Sequence, residues 1–142
     1  ALRASFVKLM NDDTESFNVF MAAMKMPKDT DEQKAARRAA MAEASKTATD
    51  VPLRTLEACA VAARLACEAA SFGNPNAASD AGSAALLADA AGKAASYNVR
   101  INLPGVKDEV FAAECRMRMA KALEEIAGYS AKTAAKMEEA LG

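Results

Sequence analysis

Alanine constrains the fold of this chain more than any other feature, since about a quarter of the 142 residues are alanine. Alanine is the best helix former because it loses no side-chain rotamer freedom in a helix. Aromatic residues, which favour strands, make up only 5% of the chain. The length is sufficient for one domain with a buried core. The sequence therefore predicts an all-α protein in which residues 1–142 form a single helical domain.

Apolar residues at three- and four-residue steps indicate where the first two helices lie. The first helix is predicted over residues 1–25, and Pro27 ends it because the residue before a proline is pushed out of the α region. Thr30 and Gln33 have the spacing of a capping box, which opens a second helix reaching about residue 50.

Pro52 predicts an interruption of this second helix. It has no N–H group for the carbonyl of Ala48, so the helix must kink or restart at this point. A restart is favoured, because Thr49 or Asp50 is placed to cap a third helix that reaches about residue 71.

Two more helices complete the predicted fold. Ser79 is a suitable N-cap for the fourth helix, which ends before Pro104. The last helix is expected to begin near Lys107-Asp108, with a bend at Gly128. The simplest architecture is an antiparallel bundle of about five helices.

Composition and charge exclude several classes of function. Acidic and basic residues are interspersed and the net charge is −1, which gives no basic surface for nucleic acid or an anionic membrane. No apolar run reaches the roughly 20 residues of a membrane span. The chain has no histidine, which excludes Ser-His-Asp and Cys-His catalysis and the usual zinc sites within it.

The spacing of Cys59, Cys67 and Cys115 matches no metal site. We interpret them as reduced core thiols of a cytoplasmic protein without a metal site.

The segment from Gly73 to Leu103 carries most of the functional information. Asn74, Asn76 and Ser79 place polar side chains around Asp80, at the start of a helix rich in small residues. A helix start favours a carboxylate through its free N–H groups and its dipole. Asp80 is therefore either a reactive carboxylate beside a ligand that approaches the small residues, or only a stabiliser of the helix start.

Three further groups of polar residues leave alternatives open. Asn98 and Asn102 lie four residues apart on one helix face. They form either a paired C-terminal cap or the polar wall of a pocket. Lys25 and Lys28 flank the first helix end, where they either complement the dipole or bind ligand carboxylates. The acidic residues of segment 12–15 are interpreted as a solvated face.

Several short motifs, taken in order, resemble one known family. They are Asp13-x-x-x-Phe17, Lys25-Met26-Pro27-Lys28, Val51-Pro52-Leu53, the stretch from Gly73-Asn74 to Ser79-Asp80, and Asn98-Val99-x-Ile101-Asn102-Leu103. Together they are similar to the cyclodeaminase domain of formiminotransferase-cyclodeaminase and to the related bacterial methenyltetrahydrofolate cyclohydrolases. Domains of that family have further helices before this point, so the resemblance leads us to expect a missing N-terminal segment or a formiminotransferase partner.

The resemblance implies an all-helical homodimer that acts on one-carbon tetrahydrofolates and needs no other cofactor. Cyclodeaminases close 5-formimino-tetrahydrofolate to 5,10-methenyl-tetrahydrofolate with loss of ammonia. We expect this activity first, only because of how broadly it occurs in the family. Hydrolysis of the methenyl compound to 10-formyl-tetrahydrofolate is the alternative. A helical interaction module that has kept only the fold is the non-enzyme alternative.

The resemblance also implies roles for the candidate residues. Asp80 is expected to be the catalytic carboxylate. Lys25 and Lys28 are expected to bind the glutamate tail. The side chains expected to contact the rest of the substrate are those of Asn74, Asn76, Ser79, Asn98 and Asn102.

Overall fold

The computed structural model describes residues 1–142, apart from the side chain of Leu141. Within the described chain there are four α-helices and no strand: α1 (Leu2–Lys25), α2 (Asp31–Phe72), α3 (Ala78–Asn102) and α4 (Glu109–Leu141). Two 3₁₀ turns, Pro75–Ala77 and Leu103–Gly105, lie on either side of α3. The predicted all-α bundle is confirmed, with four helices in place of about five.

Helix α2 is the central element of the bundle, since α1, α3 and α4 all pack against it and α3 also packs against α4. The core between these helices contains Leu53, Leu56, Val99 and Ile126, each at most 1% exposed. Gly92 on α3 faces this core, where a Cβ atom would lie 2.5 Å from Cδ1 of Ile126. Small residues on α3 therefore allow a close approach of neighbouring side chains.

The predicted break at Pro52 is wrong, because α2 continues through this residue. The carbonyl of Ala48, which loses its helical donor at Pro52, accepts a 2.7 Å hydrogen bond from Nδ2 of Asn102 on α3. Thr49 does not cap a new helix: its hydroxyl donates to the carbonyl of Ser45 at 2.8 Å, one turn earlier in the same helix. A donor from another helix thus satisfies the carbonyl that proline leaves free.

The capping box predicted for α2 and the start predicted for α4 near Asp108 are confirmed. Thr30 and Gln33 form the reciprocal capping box at the start of α2. Asp108 caps α4, because its carboxylate accepts the N–H of Phe111 at 3.0 Å. This hydrogen bond and the ammonium of Lys46 hold the pKa of Asp108 below its usual value.

The start of α3 differs from the prediction. Ser79 does not cap this helix, because the 3₁₀ turn Pro75–Ala77 leads directly into it and Ala77 occupies the N-cap position. Asp80 is consequently the third residue of α3, not the first. Helix α4 runs without a break through Gly128, the position at which a bend is expected.

An ion-pair cluster joins α4 to α2. The guanidinium of Arg118 contacts both carboxylate oxygens of Glu57, at 2.8 and 2.9 Å, and Asp50 at 3.4 Å. These carboxylates raise the pKa of Arg118 above its ordinary value.

No helix in the described chain is both long and apolar enough to cross a membrane.

The cysteines are free thiols. Cys59 and Cys115 belong to the core, and their burial raises the pKa of each thiol, which keeps them protonated. Cys67 is half-buried. The interpretation of Cys59 and Cys115 as core thiols is confirmed.

Candidate functional site

A cleft of about 380 Å³ lies between α1, α2 and the C-terminal end of α3. We call it the α1–α3 cleft. It is lined by Asp13, Ser16, Phe17, Phe20, Ser45, Ala48, Asn98, Ile101, Asn102 and Gly105. The two asparagines predicted from the sequence therefore share one site, in agreement with the polar-wall interpretation.

Helical spacing explains how α1 supplies one wall of the cleft. Asp13, Phe17 and Phe20 follow one another at steps of four and three residues, which places them on one face of the helix. Phe17 is 62% exposed, so its ring is available to a ligand. The wall combines a carboxylate with two aromatic rings, an arrangement suited to a flat ligand that carries positive charge.

The amides of Asn98 and Asn102 form the opposite wall. Asn102 is held in place because its Nδ2 donates to the carbonyl of Ala48 on α2. Asn98 is exposed, and its Nδ2 makes only a long 3.4 Å contact with the carbonyl of Ala94. The hydrogen-bonding groups of Asn98 are consequently available to a ligand, whereas Asn102 also joins α3 to α2.

Two neighbouring acidic residues of α1 have different surroundings. Asp12 forms ion pairs with Lys8 at 2.6 Å and with Arg54 at 3.6 Å. Among the described residues, the carboxylate of Asp13 has neither an ion-pair partner nor a hydrogen-bond donor. Asp13 and Glu15 are exposed, which agrees with the interpretation of segment 12–15 as a solvated face, and Asp13 also borders the cleft.

A second cleft of about 340 Å³ continues along the same side of the bundle. It is bordered by Phe6, Met10 and Ala91 together with Asp13 and Asn98, which also border the α1–α3 cleft. Asp13 and Asn98 therefore lie where the two clefts meet.

Asp80 lies in a separate groove near the start of α3. The groove measures about 440 Å³ and is bordered by Asn74, Leu2, Leu65 and other mostly apolar residues. Asp80 precedes Asn98 by 18 residues on one continuous helix, a separation of about 27 Å. A single chain therefore does not bring Asp80 to the two asparagines.

The other polar residues predicted around Asp80 are exposed. Asn76 and Ser79 are exposed and are not among the residues that border the groove around Asp80. The side-chain oxygen of Asn74 accepts the N–H of Asn76 at 3.0 Å, which stabilises the 3₁₀ turn. Of the three polar residues predicted around Asp80, Asn74 is thus the one that borders the same groove.

Basic side chains gather at the turn between α1 and α2. Lys28, Lys34, Arg37 and Arg38 border a shallow hollow of about 310 Å³, which we call the basic hollow. Lys25 is exposed at the end of α1 but does not border the hollow. The sequence prediction did not include Arg37 and Arg38. Their position one to two turns into α2, close in sequence to Lys28, could have indicated that they lie beside it.

The basic hollow lies at the same end of α2 as the α1–α3 cleft. Nε of Arg37 donates to the carbonyl of Met24 at 3.2 Å, which ties the second turn of α2 to the end of α1. Arg37 precedes Ser45 of the cleft by eight residues of the same helix, about 12 Å along its axis. The aromatic and amide groups of the cleft and the cations of the basic hollow thus lie within one small molecule's length of each other along α2. Among the described residues no cluster of three His, Cys, Asp or Glu suits a metal ion.

Comparison with known proteins assigns the family. The sequence profile of formiminotransferase-cyclodeaminase matches residues 1–121. The chain belongs to this family. Family membership confirms the resemblance carried by the motifs around Asp13, Pro27, Pro52, Asp80 and Asn98.

Relatives of this chain within the family are named for different activities. The chain is 46% identical to a methenyltetrahydrofolate cyclohydrolase of Methylorubrum extorquens, over 80% of this chain and 54% of that protein. It is 37% identical to the formimidoyltransferase-cyclodeaminase of Sus scrofa, over 88% of this chain and 23% of that protein. The chain therefore spans about half the length of the cyclohydrolase and about a quarter of the formimidoyltransferase-cyclodeaminase.

A solved structure of the family has the same fold. The crystal structure of formiminotetrahydrofolate cyclodeaminase from Thermotoga maritima matches with a TM-score of 0.85 and 26% identity. The match covers 99% of this chain and 66% of that one. The four helices thus correspond to a large part of a family domain.

Proposed function

We propose that this chain acts on one-carbon tetrahydrofolates and that the reaction takes place in the α1–α3 cleft. The single observation that carries the proposal is the meeting of Asp13 with Asn98 and Asn102 in one cleft of a chain that belongs to this family. The cyclohydrolase and the Thermotoga cyclodeaminase to which the chain is similar are both named for a tetrahydrofolate substrate.

The cleft suits the chemical groups of such a substrate. A pterin is flat and has donors and acceptors along its edge, for which Phe17, Phe20 and the amide of Asn98 are suitable partners. The glutamate tail is anionic, and the basic hollow about 12 Å along α2 is suited to it. We keep Lys25 and Lys28 as tail-binding residues in this proposal.

Of the two reactions, we propose hydrolysis of 5,10-methenyl-tetrahydrofolate to 10-formyl-tetrahydrofolate. The 46% identity to a methenyltetrahydrofolate cyclohydrolase favours it over our first expectation. Cyclodeamination of 5-formimino-tetrahydrofolate remains the second candidate, favoured by the cyclodeaminases at 37% and 26% identity. Both reactions pass through a tetrahedral carbon between N5 and N10, so the same cleft is suitable for either.

One experiment separates these activities. The purified full-length protein is incubated with 5,10-methenyl-tetrahydrofolate, and loss of the methenyl absorbance is followed against the spontaneous rate. A parallel incubation with 5-formimino-tetrahydrofolate measures release of ammonia. Turnover of the methenyl compound alone supports the cyclohydrolase, and ammonia release supports the cyclodeaminase. Activity with neither substrate contradicts the proposed function and favours a helical interaction module.

The proposal also includes a homodimer in the cytoplasm. Leu86, Leu87 and Ile101 on α3 are each more than 70% exposed within the single chain, which is unfavourable for apolar side chains in water. A second copy that covers α3 would bury them. Contact of Asn74, Asn76 and Ser79 with the substrate, and the role of Asp80 as the catalytic carboxylate, stay predictions from the sequence.

A further inference from the structure

We propose that Asp13 is the carboxylate that contacts the one-carbon unit of the substrate. This inference rests on the proposed function and names the residue that carries out its chemistry. It also differs from the expectation drawn from the sequence, in which Asp80 had that role.

The first argument is position. Asp13 and Asn98 lie where the α1–α3 cleft meets the second cleft, so a ligand in either space passes this pair. The C-terminal end of α3 brings Asn102 to the same cleft. Asp80 is about 27 Å away along α3, which is too far for it to act on a carbon held beside Asn98 of the same chain.

The second argument is the unused charge of Asp13. Asp12, one residue earlier, has its charge compensated by Lys8 and Arg54. Asp13 is exposed at the border of the cleft and has no such partner among the described residues. The N5–C–N10 group of the methenyl substrate is a cation, which an unpaired carboxylate at the border of the cleft would stabilise by its charge.

The reaction balances with one carboxylate as proton carrier. The water oxygen forms a bond to the methenyl carbon, and the water proton passes to the carboxylate of Asp13. The carbon–N5 bond then breaks with its electron pair on N5, which takes the proton from Asp13. The remaining hydroxyl proton leaves to solvent as the formyl C=O forms. The methenyl compound and water are thereby converted to 10-formyl-tetrahydrofolate, which no longer has the positive charge at N5 and N10, and one released proton.

The cyclodeaminase reaction requires a similar proton transfer. N10 forms a bond to the carbon of the protonated formimino group, whose C=N electron pair moves onto its nitrogen to give an amino group, and N10 gives its proton to the carboxylate. The carboxylate returns the proton to the amino group, which leaves as ammonia when its bond to carbon breaks. The inference about Asp13 therefore holds for either activity of the proposed function.

The test compares three variants of the full-length protein. Asp13→Asn keeps the size of the side chain but removes its charge and its ability to carry a proton. Glu15→Gln is the matched control, since it removes one negative charge two residues away on the same helix and does not border the cleft. Asp80→Asn tests the carboxylate expected from the sequence. The measurements are kcat with the substrate that the parent protein turns over, and affinity for tetrahydrofolate, which has no positive charge at N5 and N10.

We expect kcat of Asp13→Asn to fall by about 10²–10⁴-fold, as is typical for loss of a general acid–base group. Its affinity for tetrahydrofolate should stay within about threefold of the parent, which a disturbed cleft would not allow. Glu15→Gln should keep the parent rate.

Two results would overturn the inference. One is an Asp13→Asn variant that turns over substrate within a few-fold of the parent, whether or not Asp80→Asn loses activity. The other is an equal loss in Asp13→Asn and Glu15→Gln, which indicates a general effect of charge on α1. If the parent protein turns over neither folate, the proposed function fails, and this result is distinct from both.

Discussion

The side-chain amide of Asn102 donates a 2.7 Å hydrogen bond to the carbonyl of Ala48, the carbonyl that Pro52 leaves without its helical donor. The contact joins residues 54 positions apart in sequence. It explains how α2 continues through a proline, and it fixes one wall of the α1–α3 cleft.

We predict that Asn102→Ala lowers the free energy of unfolding by about 1–3 kcal/mol, because it leaves the carbonyl of Ala48 unsatisfied. Pro52→Ala restores an N–H group at the position that normally bonds to this carbonyl. Asn102→Ala should therefore be less destabilising in the Pro52→Ala background, by about 1 kcal/mol. Urea unfolding of the four proteins in this cycle measures the difference. An equal cost in both backgrounds would show that Asn102 and Pro52 are not coupled.

A second prediction contrasts two glycines in helices. In Gly92→Ala the new methyl group would lie 2.5 Å from Cδ1 of Ile126, which is only 1% exposed and has little room to move. We expect destabilisation of about 1–3 kcal/mol from this overpacking. A methyl group added at Gly128 would have no neighbouring atom within 4 Å, so Gly128→Ala should stabilise α4 by about 0.5–1 kcal/mol. Thermal unfolding that shows the same sign for both variants would contradict the packing around Gly92.

The third prediction concerns the substrate tail. Replacement of Lys25 and Lys28 by alanine should weaken binding of polyglutamylated tetrahydrofolate by roughly twofold to thirtyfold, as expected for two exposed ion pairs. Binding of a pterin without a tail should change little. Lys121→Ala on α4 is the control, because Lys121 is a similarly exposed cation far from the basic hollow in sequence. Equal losses for the two ligands would leave Lys25 and Lys28 as partners of the α1 dipole only.

The fourth prediction is that the protein is a dimer or larger. Alanine-rich helices bury little area per residue, so one bundle of this size gains limited hydrophobic stabilisation. Sedimentation equilibrium at micromolar concentration should give a mass of at least twice 14.8 kDa for this chain. Leu86→Glu with Leu87→Glu should shift the protein toward monomer, because both side chains are more than 70% exposed in the single chain. A well-folded 14.8 kDa species at these concentrations would contradict the dimer.

The sequence by itself determined the helices and most of their ends. Helix formation by alanine and by apolar residues at helical spacing depends on contacts within one or two turns. The caps at Thr30 and Asp108 are equally local. The family motifs are likewise short runs of neighbouring residues that can be identified in the sequence alone. These features were predictable because the physical forces behind them act over a few residues.

The tertiary structure alone decided the continuity of α2 and the composition of the cleft. The donor that satisfies Ala48 comes from Asn102 on another helix, so no local pattern around Pro52 could reveal it. The same packing brings Asp13 of α1 to Asn98 of α3 and leaves Asp80 at the far end of that helix. Helical periodicity places a residue on a face, but which faces meet depends on the burial of apolar surface between helices distant in sequence.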